Sequence, residues 1–183
     1  VCSSDLGYAD QAGMDVRRLR APIPAIQALL DRARGVGMLV VHTREGHRPD
    51  LSDLPEPKRR RAQATGAPIG SPGPLGRLLV RGEFGHDLID ELQPRAGEPV
   101  IDKPGYSAFA HTDLELILRR RGIERLILTG VTTDVCVAST LRQAIDLGFD
   151  CQTVRDACAS SAPQLHAAAL AMNFAGSDTV DRK

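Results

Sequence analysis

The sequence predicts an α/β protein with three layers, in which helices cover both faces of a doubly wound, mainly parallel sheet. Short apolar runs of strand length, such as residues 126–129, alternate with segments of helical spacing, such as residues 135–145. The length of 183 residues suits one domain, and a hydrophobic content of 42% with 25% charged residues suits a folded core beneath a polar surface.

The chain begins with one predicted helix and one predicted strand. Asp15 is placed to cap a helix whose apolar residues recur at helical spacing. These residues are Val16, Leu19, Ile23, Ile26, Leu29 and Leu30. A buried strand is predicted at residues 38–41, and it ends in the polar sequence His-Thr-Arg-Glu at residues 42–45.

Residues 46–98 are rich in proline and glycine, which predicts a long loop region with little regular structure. We expect a short strand at residues 77–80 and a short helix at residues 86–92. The basic run at residues 58–61 is interpreted as a solvated surface. Loop regions of this length usually form functional covers or subunit contacts.

Strands and helices alternate regularly in the second half of the chain. Strands are predicted at residues 100–101, 126–129 and 149–154. Thr112 or Asp113 caps the helix after the first of these strands, and Pro163 opens the last helix. The polar tail at residues 173–183 contains no recognisable strand.

Cys136 is the strongest candidate for chemistry, because it falls in the first turn of a helix that follows a buried strand. Thr132, Thr133 and Asp134 are predicted to cap this helix. Free backbone N–H groups and the helix dipole favour a thiolate there, and the same groups can stabilise an oxyanion. The alternative is a small buried hydrophobic residue, and placement alone favours neither interpretation.

Other polar residues are expected close to Cys136. Ligands bind doubly wound sheets at the carboxyl ends of the strands. The predicted strands bring residues 42–45, Lys103 and Asp156 to the same edge as Cys136. Lys103 stands between a buried strand and Pro104, where a merely solvated lysine has no special reason to be.

Three stretches of sequence resemble a known family. They are VVHTREGHRPDLSD at residues 40–53, VIDKPGYSAF at residues 100–109 and LTGVTTDVCVAST at residues 128–140. Together they resemble the isochorismatase-like cysteine hydrolases, and most of all the branch with biuret hydrolase, ureidoacrylate amidohydrolase and N-carbamoylsarcosine amidase. The resemblance extends over residues 13–172 and implies the Rossmann-like isochorismatase fold.

The resemblance implies a nucleophilic cysteine, a lysine that supports the charged pair and an aspartate that takes the thiol proton. Cys136 and Lys103 match the first two residues of this set. The aspartate normally ends the first strand of the family, and neither that strand nor that aspartate has a counterpart in this sequence. Glu45 and Asp156 are the only carboxylates that we consider as substitutes.

The resemblance also suggests how a substrate is held. The family often has a non-proline cis peptide before the nucleophile helix, which maps to Val131-Thr132 and would aim the N–H groups of Thr132 and Cys136 at an oxyanion. Glu45 is expected to hold Arg44 or a polar group of the substrate. Further substrate-binding candidates by position are Tyr106, Phe109 and Thr133.

No metal or other cofactor is predicted. His42, Glu45 and His47 could suggest a metal, as in the nicotinamidase branch of the superfamily. That branch uses an Asp-x-His arrangement, which does not occur in this sequence. The sequence also contains no nucleophile elbow, Walker loop or dinucleotide-binding fingerprint.

The predicted function is hydrolysis of a C–N bond in a small ureide, carbamoyl compound or amide through a thioester on Cys136. One alternative is an isochorismatase-type hydrolase of a non-amide substrate, which needs no cysteine nucleophile. Another alternative is an inactive fragment or binding module, because the aspartate is missing. Fast alkylation of Cys136 relative to Cys151 and Cys158 would favour the first function.

The resemblance implies a small-molecule substrate as the partner. A formal net charge of zero argues against binding to nucleic acid. The sequence has no apolar run of membrane-spanning length and no C-x-x-C pair, so we expect a cytoplasmic protein with free thiols. We also expect a homo-oligomer, either a dimer or a tetramer.

Residues 1–6, with the sequence VCSSDL, are predicted to be a non-native leader, and the hydrolase domain is placed at residues 7–183. The six residues can be back-translated to the end of a widely used sequencing adapter, and they do not resemble a strand. Sequencing of the source locus upstream of Gly7 tests this, since an intact frame that encodes VCSSDL would contradict it.

Overall fold

The computed structural model describes residue 10, residues 13–172 and the backbone of residues 177–180. Its α-helices are α1 (Val16–Arg20), α2 (Ile23–Gly35), α3 (Glu56–Ala64), α4 (Leu114–Arg120), α5 (Ala138–Asp146) and α6 (Pro163–Met172). Its strands are β1 (His42–Glu45), β2 (Pro72–Gly73), β3 (Gly76–Arg77), β4 (Val100–Lys103), β5 (Arg125–Val131), β6 (Asp150–Ala159) and β7 (Ser177–Val180). Short 3₁₀ turns lie at Phe84–His86 and Asp90–Leu92, and a π-helical turn spans Thr133–Val137.

The main strands are parallel, which confirms the predicted α/β class. β1 pairs with β4, and β5, β6 and β7 form a second parallel group in that order. β2 and β3 form a small antiparallel hairpin within the loop region. Parallel strands joined by helices place the carboxyl ends of β1, β4 and β5 at one edge.

Two apolar clusters lie on opposite faces of the strands and form the outer layers with the helices. Leu19 and Ile26 of α1 and α2 pack with Val154 of β6 on one face. Leu118 of α4 and Leu141 of α5 pack in the cluster that contains Cys151 of β6 on the other face. This arrangement is the predicted three-layer α/β/α architecture.

A cleft separates β1 from β5 among the residues that the structure describes. No described strand joins the edges of these two strands. The cleft has a volume of about 850 Å³. It is lined mainly by apolar side chains of α2, residues 36–41 and β5, and it reaches Glu45, Lys103 and Cys136 at one end.

Several predicted boundaries are wrong. The strand predicted at residues 38–41 lies instead at His42–Glu45, where the chain pairs with β4, and Met38 is 48% exposed. The strand predicted at residues 149–154 continues to Ala159. The tail was expected to lack a strand, but Ser177–Val180 pairs with β6 as β7. A polar strand at a sheet end carries little apolar signal.

The helical segments also differ from the predictions. Asp15 caps α1 as predicted, since its carboxylate accepts a hydrogen bond from the backbone N–H of Arg17. The single helix predicted after it is split into α1 and α2 next to Pro22. The loop region contains the unpredicted helix α3, and two 3₁₀ turns replace the helix predicted at residues 86–92.

The predicted non-native leader at residues 1–6 lies outside the described part of the chain. Among the helices of the described part, none has both the length and the apolar character that a membrane crossing needs.

Candidate active site

Cys136 sits in a tight turn between β5 and α5. β5 is irregular near its end, where its register with β6 shifts between Leu128 and Gly130. Gly130 has a φ of 116°, which glycine adopts without strain, and the Val131-Thr132 peptide at the end of the strand is cis. Cys136 then lies in the π-helical turn Thr133–Val137, two residues before α5 begins at Ala138. The local sequence therefore places the Cys136 thiol at the carboxyl edge of the sheet.

The predicted helix-capping role of the corner residues is wrong, because no side-chain cap is formed at Thr132. Thr133 is fully buried, and its Oγ1 shares a hydrogen bond of 2.8 Å with His166 Nδ1 on α6. Asp134 Oδ1 accepts a hydrogen bond of 2.6 Å from Ser160 Oγ, just after β6. These two side chains therefore anchor the turn to the elements behind it.

Lys103, Glu45 and Cys136 meet at this edge. Glu45 and Lys103 are direct partners in the register between β1 and β4. Lys103 Nζ donates to Glu45 Oε2 at 3.0 Å and to Cys136 Sγ at 3.4 Å, and it also donates to the carbonyl of Gly105 at 3.1 Å. Cys136 Sγ in turn lies 3.6 Å from Glu45 Oε2. A thiol, an ammonium and a carboxylate thus form a closed triangle.

A second ammonium group joins the cluster from α3. Lys58 Nζ donates to Glu45 Oε1 at 2.6 Å, so each oxygen of the carboxylate faces one lysine. Burial alone raises the pKa of Glu45, but the charges of Lys103 and Lys58 outweigh it and hold this pKa below its usual value. With Glu45 ionised, the three groups carry a net charge of +1, which favours a thiolate on Cys136.

The interpretation of residues 58–61 as a solvated run is wrong for Lys58. Arg59, Arg60 and Arg61 are exposed, whereas Lys58 is 7% exposed. Ala62 is also buried and lies one helical turn further on, so both residues occupy the inner face of α3. This i, i+4 relation was the signal in the sequence that could have identified Lys58.

The substrate-binding candidates take different positions. Phe109 is buried, lines the cleft and stacks on Phe149 with ring centroids 5.7 Å apart. Tyr106 is 38% exposed, and its ring centroid lies 5.4 Å from Lys58 Nζ. Thr133 points to His166 and does not line the cleft.

Glu45 does not hold Arg44, which was one of its two expected roles. Arg44 pairs with Asp102 at 2.5 Å and with Asp87 at 2.8 Å. Asp156, the other carboxylate considered as a substitute for the family aspartate, is exposed on β6 and does not line the cleft.

The two histidines near Glu45 have different partners. His42 Nε2 lies 2.9 Å from Glu98, at the opposite end of β1 from Glu45. His47 Nδ1 lies 3.2 Å from Asp53, and its Nε2 lies 3.0 Å from Lys58 Nζ. Within the described residues, no three His, Cys, Asp or Glu side chains are grouped closely enough to hold a metal ion.

The other described cysteines differ from Cys136 in their surroundings. Burial raises the pKa of Cys151 to about 11 and that of Cys158 to about 12. Both thiols are therefore protonated near neutral pH, whereas the half-buried Cys136 receives a hydrogen bond from an ammonium group.

Comparisons with known proteins assign the chain to a family. The family model described as the isochorismatase domain matches residues 3–182. The chain belongs to the isochorismatase family. Ureidoacrylate amidohydrolase RutB of Yersinia enterocolitica is 36% identical over 175 residues, which cover 94% of this chain and 76% of that protein.

Solved structures of isochorismatase-family proteins agree with this assignment. A family member from Desulfovibrio vulgaris has a TM-score of 0.78 at 31% identity, and the match covers 90% of this chain and 82% of that chain. N-carbamoylsarcosine amidase from Thermoplasma acidophilum has a TM-score of 0.71 at 25% identity, covering 90% and 84% of the two chains.

These matches confirm the predicted superfamily and its ureidoacrylate amidohydrolase and N-carbamoylsarcosine amidase branch. They also confirm the fold class and the prediction of a hydrolase that acts on C–N bonds of small molecules.

Proposed function

We propose that this isochorismatase-family hydrolase cleaves a C–N bond of a small ureide, carbamoyl compound or amide through a thioester on Cys136. The observation that carries the proposal is the 3.4 Å contact between Lys103 Nζ and Cys136 Sγ, next to the carboxylate of Glu45. The names of the relatives, a ureidoacrylate amidohydrolase and an N-carbamoylsarcosine amidase, support the substrate class.

The reaction has two halves. The Cys136 thiolate adds to the carbonyl carbon, and the C–N bond breaks as the leaving nitrogen takes up a proton, which leaves a thioester on the sulfur. Water then adds to the thioester carbonyl, and the C–S bond breaks to release the acid and restore the thiolate. The second proton of that water replaces the one that the leaving nitrogen took up in the first half, so protons balance over the cycle. Lys103 stabilises the thiolate at the start and end of this cycle.

The oxyanion that forms on the carbonyl oxygen is assigned to the backbone N–H groups of Thr132 and Cys136. The position of Val131-Thr132 at the carboxyl end of β5, with Cys136 in the turn that follows, supports this assignment. Tyr106 and Phe109 are proposed to contact the substrate, and Glu45 is proposed to face its polar groups.

Proton transfer is the weakest part of this site. A general base works best when its pKa lies near the working pH. Lys103 and Lys58 hold the pKa of Glu45 below its usual value, so Glu45 is a better partner for the lysines than an acceptor of the thiol proton. This is the reason to assign Glu45 to charge stabilisation and to expect slow proton transfer from the described groups alone.

Replacement of the nucleophile tests the proposal. Ammonia release from a panel of ureides, carbamoyl compounds and amides is measured for the parent protein and for Cys136→Ala and Cys136→Ser, with Cys151→Ser as the matched control. Turnover is expected to disappear in both Cys136 variants and to persist in the control. Mass spectrometry of the quenched protein should show the acyl group on Cys136, and full activity of Cys136→Ala would exclude a covalent thioester.

Four further expectations remain proposals for this protein. We propose that it forms a homo-oligomer, that it works in the cytoplasm, that residues 7–183 are one hydrolase domain, and that residues 1–6 are a non-native leader. Size measurement by light scattering tests the first, and the sequence of the source locus tests the last.

A further inference from the structure

The geometry points to Lys58 as a positioning residue that orients Glu45 toward Lys103 and Cys136. Through this contact, the position of α3 affects the reactivity of the Cys136 thiol. This inference rests on the proposed role of Cys136 as the nucleophile. Lys58 itself does not line the cleft, so it reaches the thiol through Glu45.

The ammonium group of Lys58 donates hydrogen bonds to three acceptors. They are Glu45 Oε1 at 2.6 Å, the Pro104 carbonyl at 2.7 Å and His47 Nε2 at 3.0 Å. Pro104 directly follows Lys103, so Lys58 is bonded to β1 and to the residue that follows β4. Its ammonium group also lies over the Tyr106 ring.

A second line of hydrogen bonds fixes Lys58 from the other side. Because an ammonium group only donates, His47 Nε2 must accept from it, and the remaining ring proton on Nδ1 donates to Asp53 Oδ1. Burial and the charge of Lys58 both lower the pKa of His47, which keeps the ring neutral. Asp53 is held in turn by Arg81 at 3.4 Å.

A merely structural lysine does not account for this position. Burial of an ammonium group costs several kcal/mol, and an apolar side chain of similar length fills such a place at lower cost. The charge matters for the site because Glu45 and Lys103 alone form a neutral pair. Lys58 offsets the negative charge of Glu45, which by itself disfavours a thiolate, and it occupies the carboxylate oxygen that does not face the thiol.

The experiment measures alkylation of Cys136 by iodoacetamide across a pH series, with mass spectrometry to separate it from Cys151 and Cys158. Lys58→Met removes the charge and keeps the side-chain length. Arg60→Met is the matched control, since Arg60 is an exposed cation on the same helix. Circular dichroism and thermal unfolding establish that each variant is folded.

Alkylation of Cys136 in Lys58→Met is expected to be about tenfold slower near neutral pH, with its midpoint about one pH unit higher. Arg60→Met should match the parent protein. An unchanged midpoint in folded Lys58→Met would overturn the proposal. Alkylation needs no substrate, so this result stays separate from a failure to find amidohydrolase activity.

A double-variant comparison tests the route through Glu45. If Lys58 acts through that carboxylate, Glu45→Gln and Glu45→Gln/Lys58→Met should share one alkylation profile. A further shift in the double variant would overturn the proposal. This comparison carries the test alone if Lys58→Met does not fold, because the double variant loses one charge of each sign and so keeps the net charge of +1 that the parent has in this cluster.

Discussion

Removal of the Lys103 charge gives the most direct test of the triangle of Lys103, Glu45 and Cys136. Lys103→Met retains most of the side-chain volume but removes the ammonium group 3.4 Å from Cys136 Sγ. Two unit charges at this distance attract by about 5 kcal/mol at the effective dielectric constant of about 20 that suits protein sites. Only part of this attraction appears as a change in thiol reactivity, because the same lysine also loses hydration and bonds to Glu45.

Neighbouring opposite charges commonly shift titration by about one to three pH units, so we expect the midpoint for alkylation of Cys136 to rise by about two units. The rate near pH 7 should then fall by up to about a hundredfold, the full factor applying where the midpoint of the parent protein lies above pH 7. The sign follows from the charges that remain: without Lys103, Glu45 Oε2 faces the sulfur at 3.6 Å and disfavours a thiolate.

The assay is iodoacetamide labelling from about pH 6 to about pH 9, followed by mass spectrometry, and turnover is measured in parallel. Cys151 and Cys158 serve as internal references because both are buried. An unchanged rate for Cys136 across this range, in a folded variant, would show that Lys103 does not act on the thiol. Loss of turnover alone would not distinguish this from a misplaced substrate.

Two further predictions concern the ends of β1. The hydrogen bond from Arg34 is the main cause that lowers the pKa of Glu98 to about 2. Ionised Glu98 therefore stabilises the folded protein above about pH 4.5, and this contribution is lost as the pH falls toward 2. Glu98→Gln should therefore lower the free energy of unfolding by about 2 kcal/mol at neutral pH and leave it nearly unchanged near pH 2. Urea denaturation at the two pH values measures this difference, and equal losses at both would contradict the prediction. The second prediction concerns the end of β1 at Glu45, where the thiol needs a proton acceptor. An added amino-terminal apolar strand that ends in aspartate should raise ammonia release well above that of the 183-residue chain. Its Asp→Asn version is the control, and equal turnover by all three forms would show that the proton acceptor is already present.

The parts of the site that local sequence patterns encode were predictable. The apolar run of β5, the glycine that ends it and the helical spacing after it located Cys136 at a strand end. Lys103 could be placed in the same way, since a short apolar strand leads directly into it. Their meeting follows from parallel strands with a common carboxyl edge.

Lys58 escaped prediction because its surroundings are set by distant parts of the chain. A lysine next to three arginines looks solvated, and its burial depends on acceptors from β1 and from the residue after β4. The displaced β1 boundary has a related cause: residues 38–41 are apolar enough for a strand, but pairing with β4 begins only at His42. Pairing partners, and not local propensity, decide such boundaries.

The cleft between the described strands β1 and β5 restricts what kind of segment could lie between them. A segment between these edges would form ladders on both sides, so it could contain no proline at its centre. Its two faces would meet the layers of α2 on one side and α4 and α5 on the other, which requires a continuous apolar run in place of alternating residues. To bring its last side chain to Glu45 and Cys136, it would have to run in the same direction as its neighbours. A slip of one residue would exchange its two faces and move that side chain away from the thiol.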